Sequence, residues 1–211
     1  MPDASPPWQG EPEPTVARIR PGIEGILEAS VAEFFEKGYG GTTVRTIAAR
    51  AGVTVAALYH HFASKHEVLL TVMRQVMGDL LSGSEKALGE AGEDPLERFS
   101  AFVANHVSYH ISHLRFGFVA NSELRSLEPG SREEIVGMRD EYEQRLVGVI
   151  AQGSASGAFR VRDPKLAARA VIAMCTAVSN WFDQRGPLTA EEVKAEVAIL
   201  ALNLVGTPPC A

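Results

Sequence analysis

Between Thr43 and His61 two short runs, each opened by a threonine, flank the tripeptide Ala51-Gly52-Val53. Threonine is a helix-capping residue, and Gly52 supplies a turn that a Cβ would resist. Val44, Ile47, Ala48 and Ala51 face inward from the first run. Ala48 is small where two helices joined so tightly must cross. Val53 and Leu58 plug the second run onto Ile47 and onto the helix before it. This is the spacing of a helix-turn-helix. It leaves Val55, Ala56, Tyr59 and His60 facing outward. Small and apolar side chains on an outer face allow close approach to a major groove, where Val or Ala can touch thymine methyls.

Charge supports that reading. The chain carries a net −6, yet no Asp or Glu occurs from Lys37 to His66. That window holds Lys37, Arg45, Arg50 and Lys65 together with His60, His61 and His66. An acid-free module on an acidic body is the footprint of a small nucleic-acid reader attached to something that must not bind DNA.

The remaining 150 or so residues follow helical periodicity, with no convincing strand alternation. A first helix starts near Pro21, carries Ile26, Leu27, Val31, Phe34 and Phe35 on one stripe, and stops at Gly38. Ser64 and Glu67 form a capping box opening a long fourth helix. Asp94-Pro95 opens a helix to about Leu114, and a shorter one spans about Phe116 to Leu127, ended by Pro129-Gly130. Ser131 and Glu134 box a helix to about Ala155. Asp163-Pro164 opens one to about Gln184, and Thr189-Glu192 boxes the last, to about Val205. The expected fold is all-α with nine helices: a three-helix DNA-binding domain and a six-helix ligand-binding and dimerisation domain. The expected bounds are a disordered, proline-rich leader at 1–18, the helix-turn-helix domain at 19–66 and the body at 67–211. The leader has no apolar core of a signal peptide, and no run approaches a membrane span. A cytoplasmic protein with no membrane partner follows. Cys175 and Cys210 stand without zinc-site spacing or a natural disulfide partner.

The stretch from Thr42 to Thr54, continued by Leu58-Tyr59-His60-His61-Phe62-Ala63-Ser64-Lys65, resembles the signature of the TetR family of transcriptional regulators. The resemblance is dense from Ile23 to Leu70 and extends to the nine-helix layout. It implies that Tyr59, Lys65 and the backbone at Thr43 bond phosphates. It implies that Arg45 reaches a base or a phosphate, and that Val55, Ala56, Ala57 and His60 meet base edges. His61 would contact a phosphate or brace the turn, and Thr54 is a cap first and a contact second. Arg50 is expected on the solvent face. Tyr59 has the rival reading of a core residue with a satisfied hydroxyl.

One module covers few base pairs, so a two-fold homodimer on a double-stranded palindromic operator is expected. Val193, Val197, Leu200 and Leu204 on the last helix, with Ala170, Ala173 and Ala177 on the preceding one, are the expected interface; the same stripes also suit intramolecular core. In the body, Phe99, Val103, His106, His110 and His113 share one helix face. They read as one wall of an effector pocket, with Phe118, Met174, Val178, Trp181 and Arg185 opposite. Three histidines at this spacing also allow a metal site. Segments 123–127 and 179–182 are similar, more softly, to TetR regulators responsive to acyl-CoA or lipid-derived acids, which implies a small apolar effector that releases a repressor. The rivals are a metal-responsive regulator using His106, His110 and His113, and a metal-dependent helical enzyme. Against the enzyme, nucleophile-elbow, P-loop, Rossmann and His-Glu-x-x-His motifs are absent, and His60 and His61 point about 100° apart. No cofactor is expected.

Overall fold

The computed structural model describes residues 22–206, so the expected leader, Pro21 and Cys210 lie outside the described residues. All regular elements there are helical. The first is α1 (Ile23–Gly41), whose Ile26, Leu27, Val31 and Phe34 are buried. It runs past the expected stop because helical turns resume after Gly38, which breaks the helix geometry at φ 70° and ψ 163°. A conformation of this kind suits only a residue without a Cβ.

Next come α2 (Val44–Arg50) and α3 (Val55–His61). Thr43 and Thr46 form a capping box on α2, and Thr54 accepts the Ala57 N–H on α3. Gly52 turns between them at φ 67°. Such short helices gain most of their stability from packing, and Ile47, Ala48 and Leu58 supply it by being wholly buried.

The body begins with α4 (Lys65–Glu90), a continuous helix that carries the module into the rest of the chain. Ser64 accepts the Glu67 N–H as expected, but the Glu67 carboxylate takes the N–H of Ala63 rather than that of Ser64. Then follow α5 (Pro95–Ser112), α6 (Leu114–Ser122), a 3-10 turn at Leu124–Ser126, α7 (Pro129–Ser156), α8 (Pro164–Thr176), α9 (Val178–Trp181) and α10 (Ala190–Val205). The short α9 continues α8 after a break at Ala177, so the nine expected helices are recovered with one of them split. The junction of α6 and α7 also differs from expectation. Pro129 opens α7 instead of ending α6, because proline's missing N–H is harmless in a first turn. Ser131 therefore sits inside the helix, and α7 has no side-chain cap.

The helices share one core. α5 is its axis, packed against α4, α7, α8, α9 and α10. α6 lies between α1 and α4 and so bridges the DNA-binding module to the body. Among the described residues no helix is long and apolar enough to cross a membrane.

Candidate nucleic-acid interface and effector cavity

α3 presents one face to solvent. Leu58 anchors the helix, while Val55 (37% exposed) and Tyr59 (52% exposed) stand out on the other side. Ala56, Ala57, His60 and His61 are exposed beside them, as are Thr43, Arg45 and Thr54. Tyr59 is thus no core residue. The His60 and His61 rings meet edge to face at 5.2 Å, which steadies the end of the helix.

The cations of the acid-free window are used differently from expectation. Arg50 is not a solvent-face residue: it clasps both oxygens of Glu36 at 2.7 and 2.8 Å and reaches Glu33 at 3.2 Å, tying α2 to α1. Lys37 bonds the buried Glu33 at 2.8 Å. Burial pushes the Glu33 pKa up, but Lys37, Thr46 and Arg50 together hold it below its ordinary value. Lys65 is turned inward. Its Nζ donates to the carbonyls of Tyr39 and Thr42, each at 2.6 Å, and lies 4.1 Å from the centre of the Tyr39 ring. Burial lowers its pKa against the opposing pull of Glu123. Two of its three ammonium donors thus brace the end of α1. Arg45 alone of the window's four cations has no partner among the described residues.

The brace extends into the body. The Tyr39 N–H donates to Glu123 Oε1 at 3.1 Å, and the Glu128 N–H donates to His66 Nε2 at 3.1 Å. The end of α6 thus grips the end of α1, and the start of α7 grips the start of α4. Sequence spacing offered no hint of Glu123, 84 residues from its partner.

Two cavities flank α6. The outer cleft, of about 720 Å³, is lined by Val31 and Phe35 of α1, the junction of α5 and α6 including Phe116 and Phe118, and Phe182 to Arg185. The inner chamber, of about 190 Å³, lies among α4, α5, α6, α7 and α8. His106 and His110 line the chamber and Phe118 and Arg185 the cleft, so residues expected to face one another across a single pocket are divided between two cavities. Phe99 and Val103 do not line either cavity. They are wholly buried, and Phe99 packs edge to face on Phe159 at 5.4 Å, because that end of the α5 stripe faces the loop after α7. Met174 and Val178 are likewise spent on packing, and Trp181 points to solvent beyond the cleft. Sequence reasoning missed Met77, Leu80, Asn121, Arg139, Tyr142 and Thr176 of the chamber.

The three histidines form no common cluster: the rings of His106 and His110 lie 4.6 Å apart, but His113 stands at the surface. His106 is held on both ring nitrogens, by Tyr142 Oη at 2.8 Å and Thr176 Oγ1 at 2.9 Å. His113 caps α5 at the surface and stacks on Tyr109 at 4.6 Å. Among the described residues no three histidines, cysteines or carboxylates form a metal-binding group. Burial pushes the His110 pKa down to about 4, and drives that of His106 well below its ordinary value, so both rings are neutral.

The expected dimer stripe divides in two. Val193 and Val197 are buried in the chain's own core, where α10 meets α5 and α8. Leu200 (53% exposed) and Leu204 (38% exposed) face outward, as do Leu166, Ala170 and Ala173 of α8. Ala177 sits half-buried at the α8–α9 break.

A short capped helix pair with an exposed reading face, carried on a helical body with internal cavities, defines a helix-turn-helix DNA-binding regulator. Residues 26–72 match the family described as bacterial regulatory proteins, tetR family, and residues 92–205 match the tetracyclin repressor-like C-terminal domain. The chain is 31% identical over 181 residues to the HTH-type transcriptional repressor KstR2 of Mycobacterium tuberculosis, covering 84% of this chain and 90% of that one. It is 26% identical to the fatty acid metabolism regulator protein of Bacillus subtilis, over 81% and 90% of the two lengths. The TetR-family regulator PfmR of Thermus thermophilus superposes with a TM-score of 0.77 at 36% identity, covering 84% of this chain and 97% of that structure. The chain belongs to the TetR family and is a helix-turn-helix transcriptional repressor with a ligand-binding C-terminal domain.

Proposed function

We propose that the chain works in the cytoplasm as a homodimer that holds a palindromic operator through α3 and lets go when an acyl effector, as a coenzyme A thioester or a free lipid-derived acid, enters the body. The observation that carries this reading is α6. Its one side borders the cleft, its other side borders the chamber, and its end holds the last turn of α1 through Glu123. A ligand that binds unequally to two positions of α6 shifts the reading heads by that difference in affinity and no more.

On DNA, Val55, Ala56, Ala57 and His60 meet base edges, Tyr59 and the α2 start at Thr43 bond phosphate, and Arg45 is the cation left for the backbone. Thr54 and His61 shape the ends of the reading helix. The exposed Leu166, Ala170, Ala173, Leu200 and Leu204 form the two-fold contact, an apolar face that suits a partner copy. The acyl class is supported by the apolar Val76, Met77 and Leu80 wall of the chamber and by similarity to a regulator of fatty acid metabolism.

The test is fluorescence anisotropy of duplexes spanning the protein's own upstream region, titrated at several salt concentrations and then challenged with acyl-CoA thioesters and free acids. The reading predicts steeply salt-dependent binding that one effector series reverses. Affinity unchanged by a bound effector would end the switch, and a flat salt slope would end the phosphate contacts.

A further inference from the structure

We infer that the inner chamber receives a compact acyl group whose buried end carries a hydrogen-bond-accepting oxygen, as a ketone or a carboxylate, bonded by His110 and Arg139. The inference rests on the acyl-effector reading above and narrows it.

Size comes first. At ~30 Å³ for each water-sized group, a chamber of about 190 Å³ holds a ring or branched group of about six heavy atoms, with the thioester or acid function at its mouth.

Polarity comes second. His106 is satisfied on both ring nitrogens, so its role is to pin Tyr142 and Thr176 in place. His110, one turn along, is 3% exposed and has no hydrogen-bond partner on either nitrogen among the described residues. A neutral imidazole has one N–H to give and one lone pair to receive with. α6 cannot supply the partner, because Gly117 faces this ring: a Cβ there would stand 2.5 Å from His110 Nδ1. Arg139 of α7 lines the same chamber, and its guanidinium makes one hydrogen bond, to the Ala120 carbonyl at 2.9 Å. The chamber's carboxylate, Glu143, is instead clasped on both oxygens by Arg169 at 3.0 and 3.1 Å.

A buried donor left unmade forfeits its hydration with nothing in return, and native interiors rarely keep such groups without a use. A wholly apolar ligand would leave the His110 deficit in place and seal the remaining Arg139 donors away from water. An oxygen at the far end of the ligand removes it. A site that hydrogen-bonds its ligand also rejects the analogue lacking the oxygen more strongly than an apolar pocket can.

The experiment is calorimetric titration of the full chain with matched pairs: cyclohexanecarbonyl-CoA against 4-oxocyclohexanecarbonyl-CoA, pentanoyl-CoA against glutaryl-CoA, and the corresponding free acids. The oxygenated member of at least one pair is expected to bind about tenfold more tightly. In Arg139→Met or His110→Phe that preference should shrink to less than about threefold, while the apolar member keeps its affinity. Should His110→Phe fail to fold against Gly117, Arg139→Met carries the test alone. Equal binding of both members of every pair by the unaltered protein overturns the inference while the acyl reading stands, and so does a preference that survives in the folded variants. Failure of every thioester and acid to bind overturns the acyl reading itself, and this inference with it.

Discussion

His60 and His61 on α3 and His106 and His110 on α5 are the same side chains put to opposite uses. The first pair lies in the open on a seven-residue helix, each ring touching the other. The second pair also touches, at 4.6 Å, but lies among five helices, one ring hydrogen-bonded on both nitrogens and the other on neither. On α3 the sequence neighbours alone decide what faces out, since one anchor, Leu58, fixes the helix rotation. On α5 the outcome depends on what α6, α7 and α8 bring opposite. The contrast teaches that a reading face is a local property, whereas a chamber belongs to the assembly.

The anchor should produce the largest effect. Leu58→Ala removes a fully buried side chain and should cost about 2–5 kcal/mol. Denaturant titration followed by circular dichroism measures it. Operator binding should vanish while the body remains helical; an unchanged midpoint would show that α3 is fixed by something else.

Acid sharpens the same comparison from the other side. Folding lowers the His110 pKa from 6.5 to about 4, so the unfolded chain binds the proton more tightly between those values. Stability should therefore fall as pH drops through that window, by on the order of 3 kcal/mol for His110. His106 adds to the fall in the same direction. Unfolding free energies at pH 7 and at pH 4.5 test this, and a folded His110→Phe protein should lose less.

How much was legible follows from that division. The helix-turn-helix, its caps and its outward residues were readable because Thr43, Gly52 and Thr54 punctuate a short stretch. The inward contacts of Lys65 and Arg50 were not legible because their partners, the Tyr39 and Thr42 carbonyls and Glu33 with Glu36, lie 14 to 26 positions away. In the body the α5 stripe was visible as a period, but a period does not say which half meets a cavity. Phe99 and Val103 went to the core, while His106 met Tyr142 and Thr176, and His110 came to share a chamber with Arg139, from helices whose approach no spacing encodes.

A smaller effect is expected at Tyr59. Removing its exposed hydroxyl in Tyr59→Phe should leave stability within about 0.5 kcal/mol. Operator binding should weaken by about 1 kcal/mol across all sequences. Equal affinity would remove Tyr59 from the phosphate contacts. The smallest effect belongs to Arg74→Ala. It breaks a half-exposed pair with Glu134 at 2.6 Å and should cost less than about 1 kcal/mol, read as a small shift in the denaturation midpoint.

The most direct measurement concerns Ala56, which is exposed in the middle of the proposed groove-facing surface. Ala56→Glu puts a negative charge there without disturbing any buried contact. Anisotropy on the upstream duplex, run beside a thermal melt, should show at least a hundredfold or so loss of DNA affinity (~3 kcal/mol) with an unaltered melt. A folded Ala56→Glu protein that still bound the duplex as tightly as the original would contradict the assignment of α3 as the DNA-reading helix.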